Sequence, residues 1–531
     1  VSIYRTDPFM QDTLGTNSTQ GLAILKIQPP DRILNAKPAK SMRIYLADAD
    51  TRQYLWMVNA GGTNISFDGN GYYTLPLWPS NGATFYAASS RSRKYNDGHP
   101  VHFNLELELL ISNQVICSDS VQLTVAPLIL PPECFPAEKV YSTTNLGISG
   151  VTYLNAGASQ WAQDIVKFSR TQIKSNSSHS VFVMVNNFPT LMGILQYNEG
   201  IPGLSWPVGG DGGNIMATPP LTDAPYGKIL LGSKKNASYP YWVAQAMQPV
   251  VSISTDWLAV GHVDEIFMWI STNKVLYADP WVATDLLHTE IAAGRQAGKL
   301  WFGLNTNGTN STIAQAVIAT NQAGHKLASL PSPGLPASTN NATLVFPSSM
   351  FSAGDILRVG SEILSVISAN GPSVTLARGQ AGRPPAAHSP GSPIYAYSDV
   401  VRANLPVGPQ GESVVEYIAI ASNQLRQALG AYPATFIPMP VLFGEASGSG
   451  TYVAYSANVV NCLVGIGGAI YYSYTGCAVF EDHIAENMPG AQGRNVWTQL
   501  HCHEGEIHCA TAATRSIPPQ PPWWNQINNW E

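Results

Sequence analysis

At 531 residues and 45% hydrophobic content the chain has material for two or three domains with full cores, yet only 12% of it is charged, so Ser, Thr, Asn and Gln must cover much of the surface. That composition excludes disorder, and a formal net charge of -6 argues against a nucleic-acid binder while leaving a mild pull on cationic substrates. No apolar run approaches the ~18 residues of a membrane span.

The start, Val1-Ser2-Ile3-Tyr4, has neither an initiating Met nor a signal-peptide core and reads as a mature, processed form. Up to about residue 135, strand-like runs recur between turn signals: Gly21 to Ile27, Met42 to Ala47, Tyr54 to Val58, Val101 to Leu110 and Val115 to Val125. Short strands at such spacing without helices predict a β-sandwich over 1–135, and Pro127, Pro131, Pro132 and Pro136 predict a linker after it. From 136 onward the patterns alternate. Val181 to Val185, Lys228 to Leu231 and Ala259 to Ile270 read as strands, and Tyr241 to Met247 and Trp281 to Arg295 as helices, which gives an α/β class. Residues 303–400 are rich in Asn, Thr, Ser, Gly and Pro. There Ile356 to Val359, Ile363 to Ile367 and Val374 to Ala377, with a turn at Asn370-Gly371, predict a small β module inserted in the α/β part. Beyond it, Glu412 to Leu429 has helical spacing and Ala434 to Phe443 is strand-like despite its prolines.

Seven Asn-x-Ser/Thr sequons, at Asn17, Asn64, Asn176, Asn236, Asn307, Asn310 and Asn341, agree with a secreted, glycosylated chain, although this composition gives about five by chance. There are six cysteines. If Cys509 stays a thiol, at most two disulfides fit, and proximity pairs Cys117 with Cys134 and Cys462 with Cys477.

Two separate stretches carry the chemistry. In Thr255 to Phe267, His262 and Asp264 lie two residues apart in an apolar run, so a strand would point both to one face. In Glu504 to Thr511, Cys509 follows Glu506 and His508, and a further carboxylate, Asp164, stands in Trp161-Ala162-Gln163-Asp164. A thiolate is a nucleophile, an imidazole moves protons and two carboxylates grip a planar cation, so together they suit a guanidinium. His508 reads as structural, and the cluster His501, Cys502, His503 is a poor zinc pattern.

These stretches resemble motifs of the peptidylarginine deiminases, in the family's order. Asp256 to Glu265 is similar to the segment carrying the family's catalytic histidine and second aspartate, Gly505 to Thr511 to its nucleophilic-cysteine motif, and Trp161 to Asp164 to its first-aspartate segment. Weaker matches lie at Gly213-Asn214 to Pro219-Pro220, Tyr226 to Leu230 and Trp523-Trp524-Asn525. The resemblance covers roughly 140–300 and 400–531. It implies an immunoglobulin-like sandwich followed, over 136–531, by a five-bladed α/β pentein propeller, with the insertion at 303–400 having no counterpart. It implies that Asp164 and Asp264 hold the guanidinium, that Cys509 attacks its carbon, that His262 transfers protons, and that Trp161, Val260 and Gly261 shape the substrate channel. The family's calcium-binding positions correspond here to Ile165, Lys167 and Met216, with Gln163 retained, so the expectation is activity without calcium or any other cofactor. The arginines with which relatives grip the substrate backbone have no match: His503 stands at one, and none follows Val185-Asn186-Asn187.

The expected function is a secreted hydrolase converting arginine residues of peptides or proteins to citrulline and ammonia, with no nucleic-acid or membrane partner. A deiminase of free arginine or methylarginine, a Cys-His-Asp peptidase and a non-catalytic adhesion or carbohydrate-binding protein are the alternatives.

Overall fold

The chain is described by a computed structural model over residues 2–5, 23–27, 40–46, 52, 55–59, 63–75, 83–89, 102–125, 127–154, 161–173, 176–184, 195, 210–338, 340–407 and 413–517. The closing Trp523-Trp524-Asn525 and the segment Val185-Asn186-Asn187 lie outside it. Among the described residues no helix is long and apolar enough to cross a membrane.

Before residue 126 the described elements are all strands. Lys40–Leu46 alternates inward Met42, Ile44 and Leu46 with outward Arg43 and Tyr45, the period that buries one face of a strand. It pairs with His102–Ile111 and Tyr72–Leu75, while Leu55–Asn59 and Ala23–Ile27 flank Ala83–Ser89. Ser2–Arg5 joins both sets, pairing with Gln114–Val125 through its first residues and with Ala83–Ser89 through its last. One apolar cluster takes Met42, Ile44, Leu105 and Leu123 from one set and Leu55, Met57 and Phe85 from the other.

The proline-rich stretch after these strands is not a linker. Residues 127–134 are buried: Ile129 exchanges backbone hydrogen bonds with Arg170, and the backbone amides of Leu128 and Leu130 donate to the side chains of Gln245 and Gln248.

Among the remaining described strands, four three-stranded sheets share one design, beside three two-stranded sheets and one of six strands. In each of the four, a middle strand has one antiparallel and one parallel neighbour. The middle strands are Ala137–Ser142, Ile229–Gly232, Lys274–Asp279 and Ile470–Ser473. A fifth sheet pairs Val166–Ile173 with Asn176–Met184. The helices between them have legible ends. Pro280–Ala292 begins at Asp279, whose carboxylate accepts from the amides of Trp281 and Val282, and Val414–Leu429 begins with a Ser413/Glu416 capping box. Residues 327–396 form a six-stranded antiparallel sheet with its own core around Leu357, Leu364, Leu376 and Ile394.

Two expectations are corrected here. The run Ala259 to Ile270 is not one strand: only Phe267–Ser271 is, preceded by a short 3-10 turn, Val263–Glu265. The Lys234 ammonium binds the carbonyls of Leu258 and Ala259, Gly261 turns the chain at φ 85°, and the Glu265 carboxylate accepts from the His262 amide, so these backbone groups are withdrawn from any ladder. The disulfide pairings fail as well. Cys134, Cys462, Cys477, Cys502 and Cys509 are free thiols, and Cys462 and Cys477 lie in different apolar clusters. The side chain of Cys117 is not described.

Candidate active site

Each part of the site is held by backbone geometry. The short helix Ala162–Ile165 carries Asp164 and is tied to the nucleophile segment by a hydrogen bond from the Gln163 amide to the Cys509 carbonyl. His262 and Asp264 stand on the turn before Phe267–Ser271, not on a strand face, and Cys509 sits in a turn before Thr511–Arg515. A ring nitrogen of His262, a carboxylate oxygen of Asp264 and Sγ of Cys509 all lie within 4.8 Å of one another, and all three residues are buried. Asp164 Oδ1 and Asp264 Oδ1 are each 3.9 Å from His262 Nδ1. The four chemistry-bearing residues, scattered over some 350 positions of sequence, therefore converge.

Trp161, Val260 and Gly261 sit at its edge. A Cβ on Gly505 would stand 2.5 Å from the Trp161 ring, so the missing side chain lets the indole lie against the nucleophile segment. Val260 lines a small cavity with Glu265, Asn458, Asn461, Gly505 and Cys509. Gly213 plays a similar part: a Cβ there would meet Gln163 Nε2 at 2.7 Å and would strike the His262 ring.

Four further residues belong to the site. Asp211 accepts from His262 Nε2 at 3.3 Å and pairs with Lys235. Its place in Gly209-Gly210-Asp211-Gly212-Gly213, a glycine run that lets backbone come close, was the available signal. Asn461 donates to Cys509 Sγ at 3.2 Å and accepts from the Cys509 amide at 3.2 Å. Gln163 donates to Asp264 Oδ2 at 2.8 Å, and His508 Nδ1 lies 2.7 Å from the same oxygen. His508 is thus more than scaffolding. Glu506 instead turns away to His501, 2.6 Å from its Nδ1, and His503 is exposed, so His501, Cys502 and His503 do not converge.

Burial and neighbouring charge set the protonation states. Burial pushes Asp164 up to about 6, with Asp211 and Asp264 adding to the rise against the pull of His262. Burial works against charge on His262, but the Asp211 hydrogen bond and the carboxylates of Asp164, Asp264 and Glu265 outweigh it and raise the imidazole to about 9. For Asp264 burial is overcome by His508, His262 and Gln163, which hold it below the usual carboxylate range. Burial, then the charges of Asp264 and Asp164, push the Cys509 thiol well above its ordinary value. At neutral pH the centre therefore holds a thiol, an imidazolium and a set of carboxylates.

Of the positions that the resemblance aligns with calcium ligands, only Gln163 offers a side-chain oxygen, its buried Oε1. Ile165 and Met216 are buried and apolar, and the Lys167 ammonium is bound to Glu133 at 2.8 Å. This donor set does not fit a hard cation.

Of the seven sequon asparagines, Asn64, Asn236, Asn307, Asn310 and Asn341 are exposed. Asn176 begins a strand and its side chain is not described, while Asn17 is outside the described residues.

A buried thiol, an imidazolium and opposed carboxylates define a nucleophile and proton-transfer centre. Comparison with known proteins gives its kinship. Residues 205–322 match the sequence profile of the protein-arginine deiminase (PAD) family. The chain is 26% identical over 256 residues to human protein-arginine deiminase type-4, covering 38% of this chain and 37% of that protein. It is 27% identical over 256 residues to the rat type-3 enzyme, covering 40% and 39%. These matches make residues 205–322 and the aligned stretch similar to protein-arginine deiminases, and that stretch spans under two fifths of the length of these relatives. Among solved structures, agmatine deiminase of C. jejuni is similar over 74% of this chain and 97% of its own, at TM-score 0.35 and 7% identity.

Proposed function

We propose that the chain is a protein-arginine deiminase, hydrolysing the guanidinium of peptidyl arginine to a ureido group with release of ammonia, and that it needs no calcium. The observation that carries the reading is that Cys509, Asp264 and Asp164 all lie close to the buried imidazole of His262. Two carboxylates, each 3.9 Å from the same imidazole nitrogen, suit the two nitrogen edges of a guanidinium. Burial and the charges of Asp264 and Asp164 hold Cys509 protonated, and bringing the cation between those carboxylates offsets their charge, so substrate binding favours the thiolate and its proton leaves to solvent. The thiolate then attacks the guanidinium carbon. His262, protonated at neutral pH, gives its proton to the departing nitrogen as the C–N bond breaks, which leaves an S-alkylthiouronium and ammonia. Water adds to the same carbon, His262 takes its proton, and the C–S bond breaks to give citrulline and the regenerated thiol. Asp211, backed by Lys235, orients the imidazole, and Asn461 holds the sulfur.

The four mixed three-stranded sheets and the fifth pair support a five-bladed pentein propeller interrupted by the β module of 303–400, and the paired strand sets before residue 126 support an immunoglobulin-like sandwich. Secretion and glycosylation belong to the same proposal, supported by the exposed sequons. In place of calcium, Lys167 supplies a fixed positive charge.

The deciding experiment incubates purified protein with an arginine peptide in excess EDTA. Ammonia, with a mass gain of about one dalton and no chain cleavage, is the expected result. Cleavage would point to a peptidase, and faster turnover of free arginine than of a blocked peptidyl arginine would transfer the activity to small guanidines. The pH dependence follows from the same groups. Asp164 must be ionised to hold the cation, so kcat/KM falls as pH drops through about 6, and His262 must be protonated, so it falls again as pH rises through about 9. A profile flat from pH 5 to pH 10, on the order of the whole accessible range, would remove both assignments.

A further inference from the structure

His508, one residue before the nucleophile, is buried with a carboxylate at each ring nitrogen. Nδ1 is 2.7 Å from Asp264 Oδ2, and Nε2 is 3.6 Å from Glu133 Oε2. A neutral imidazole carries one N–H, so one lone pair would face an anion; only the imidazolium presents a proton to both. The two carboxylates favour that state, against the cations that also bind Glu133. Glu133, on the buried segment 127–134, is held from Val166–Ile173 by Lys167 at 2.8 Å and from Thr511–Arg515 by Arg515 at 3.0 Å. Asp264 comes from the Val263–Glu265 turn, and the neighbouring Cys509 Sγ lies 4.0 Å from Asp264 Oδ2. Glu133, Lys167, His508 and Arg515 line one small cavity behind the nucleophile.

The two oxygens of Asp264 are used differently. Oδ2 takes the hydrogen bonds of Gln163 and His508, whereas Oδ1 makes none among the described residues and faces His262 Nδ1. A wholly buried carboxylate without a cation would be neutral and could not pair with a guanidinium.

We propose that His508 is a permanently protonated positioning residue, an imidazolium clamped between Asp264 and Glu133 that anchors Oδ2 of Asp264 and keeps Oδ1 ionised toward the substrate. Lys167 and Arg515 hold the far carboxylate in place. The proposal rests on the deiminase reading for its catalytic consequence, and its structural half is testable without activity. In protein labelled with ¹⁵N-histidine, the ring resonances removed by His508→Gln should show both nitrogens still protonated at a pH where a free imidazole has lost its proton. The shifts of a single neutral tautomer there would overturn the proposal. Kinetically, His508→Gln should raise KM for an arginine peptide roughly tenfold or more and move the acid limb of kcat/KM upward as Asp264 loses its cation. An unchanged KM and acid limb would overturn it equally. If this variant does not fold, the wild-type spectrum, assigned with Glu133→Gln as the perturbing variant, still decides. Wild type that makes no citrulline sinks the deiminase reading and leaves the spectral result standing.

Discussion

Cys509→Ala should lower citrulline formation to background, a fall on the order of 10⁵-fold in kcat, with folding intact. The size of the effect follows from the sulfur's place in the proposed sequence of bonds: without it there is no covalent intermediate, and water alone must attack a carbon that resonance makes a poor electrophile. The side chain is small and makes few bonds of its own. Asn461 loses one acceptor but keeps its bond to the residue 509 amide, so the turn should hold. Cys509→Ser should be nearly as inactive, because the same burial and the same two carboxylates that raise the thiol would raise a hydroxyl from a far higher start. Both variants should still bind an arginine peptide, since Asp164 and Asp264 are untouched. Residual turnover within a hundredfold of wild type, roughly 3 kcal/mol of barrier, would mean that another group carries the reaction.

The sequence announced the reactive atoms more clearly than their supports. His262 and Asp264 are residue types out of keeping with their apolar surroundings, and that contrast survives translation into letters. Asp211 and Asn461 offer no such contrast: an Asp among glycines and an Asn between Val460 and Cys462 are ordinary in loops, and what recruits them is a register between segments 51 and 48 residues distant from their partners. The strand read across Ala259 to Ile270 failed for a related reason. Its apolar pattern is real, because Val263, Ile266 and Phe267 are wholly buried, but the Lys234 ammonium takes the carbonyls a ladder would need. Helices announced themselves where a cap coincided with periodicity, as at Asp279-Pro280 and at Ser413 with Glu416. Proximity misled for the cysteines, and prolines misled at 127–136, where a stretch composed like a linker is buried against Arg170, Gln245 and Gln248.

Lys167→Ala should cost about 3 kcal/mol of folding stability, far more than an exposed lysine would. The ammonium is 7% exposed and its partner Glu133 8%, so the pair is shielded from water, and removing one member strands the other. Burial alone would raise Glu133, yet Lys167, Arg515 and His508 together hold it well below the usual carboxylate range. A depressed carboxylate contributes stability above its unfolded value and loses it as pH falls toward its folded value. The gap between wild type and Lys167→Ala should therefore be widest above about pH 4.5 and narrow below it. Arg515 and His508 remain against Glu133 in the variant, which keeps the expected loss toward the lower end for a broken buried pair. Combining Lys167→Met with Glu133→Gln should cost less than the two changes summed, because each single change already removes the Lys167–Glu133 attraction, while Arg515 and His508 lose their carboxylate only once. Denaturant unfolding at pH 7 and at pH 4 measures all of this. Additive losses, or a gap independent of pH, would show that Lys167 acts through packing and not as the charge that holds Glu133 in place.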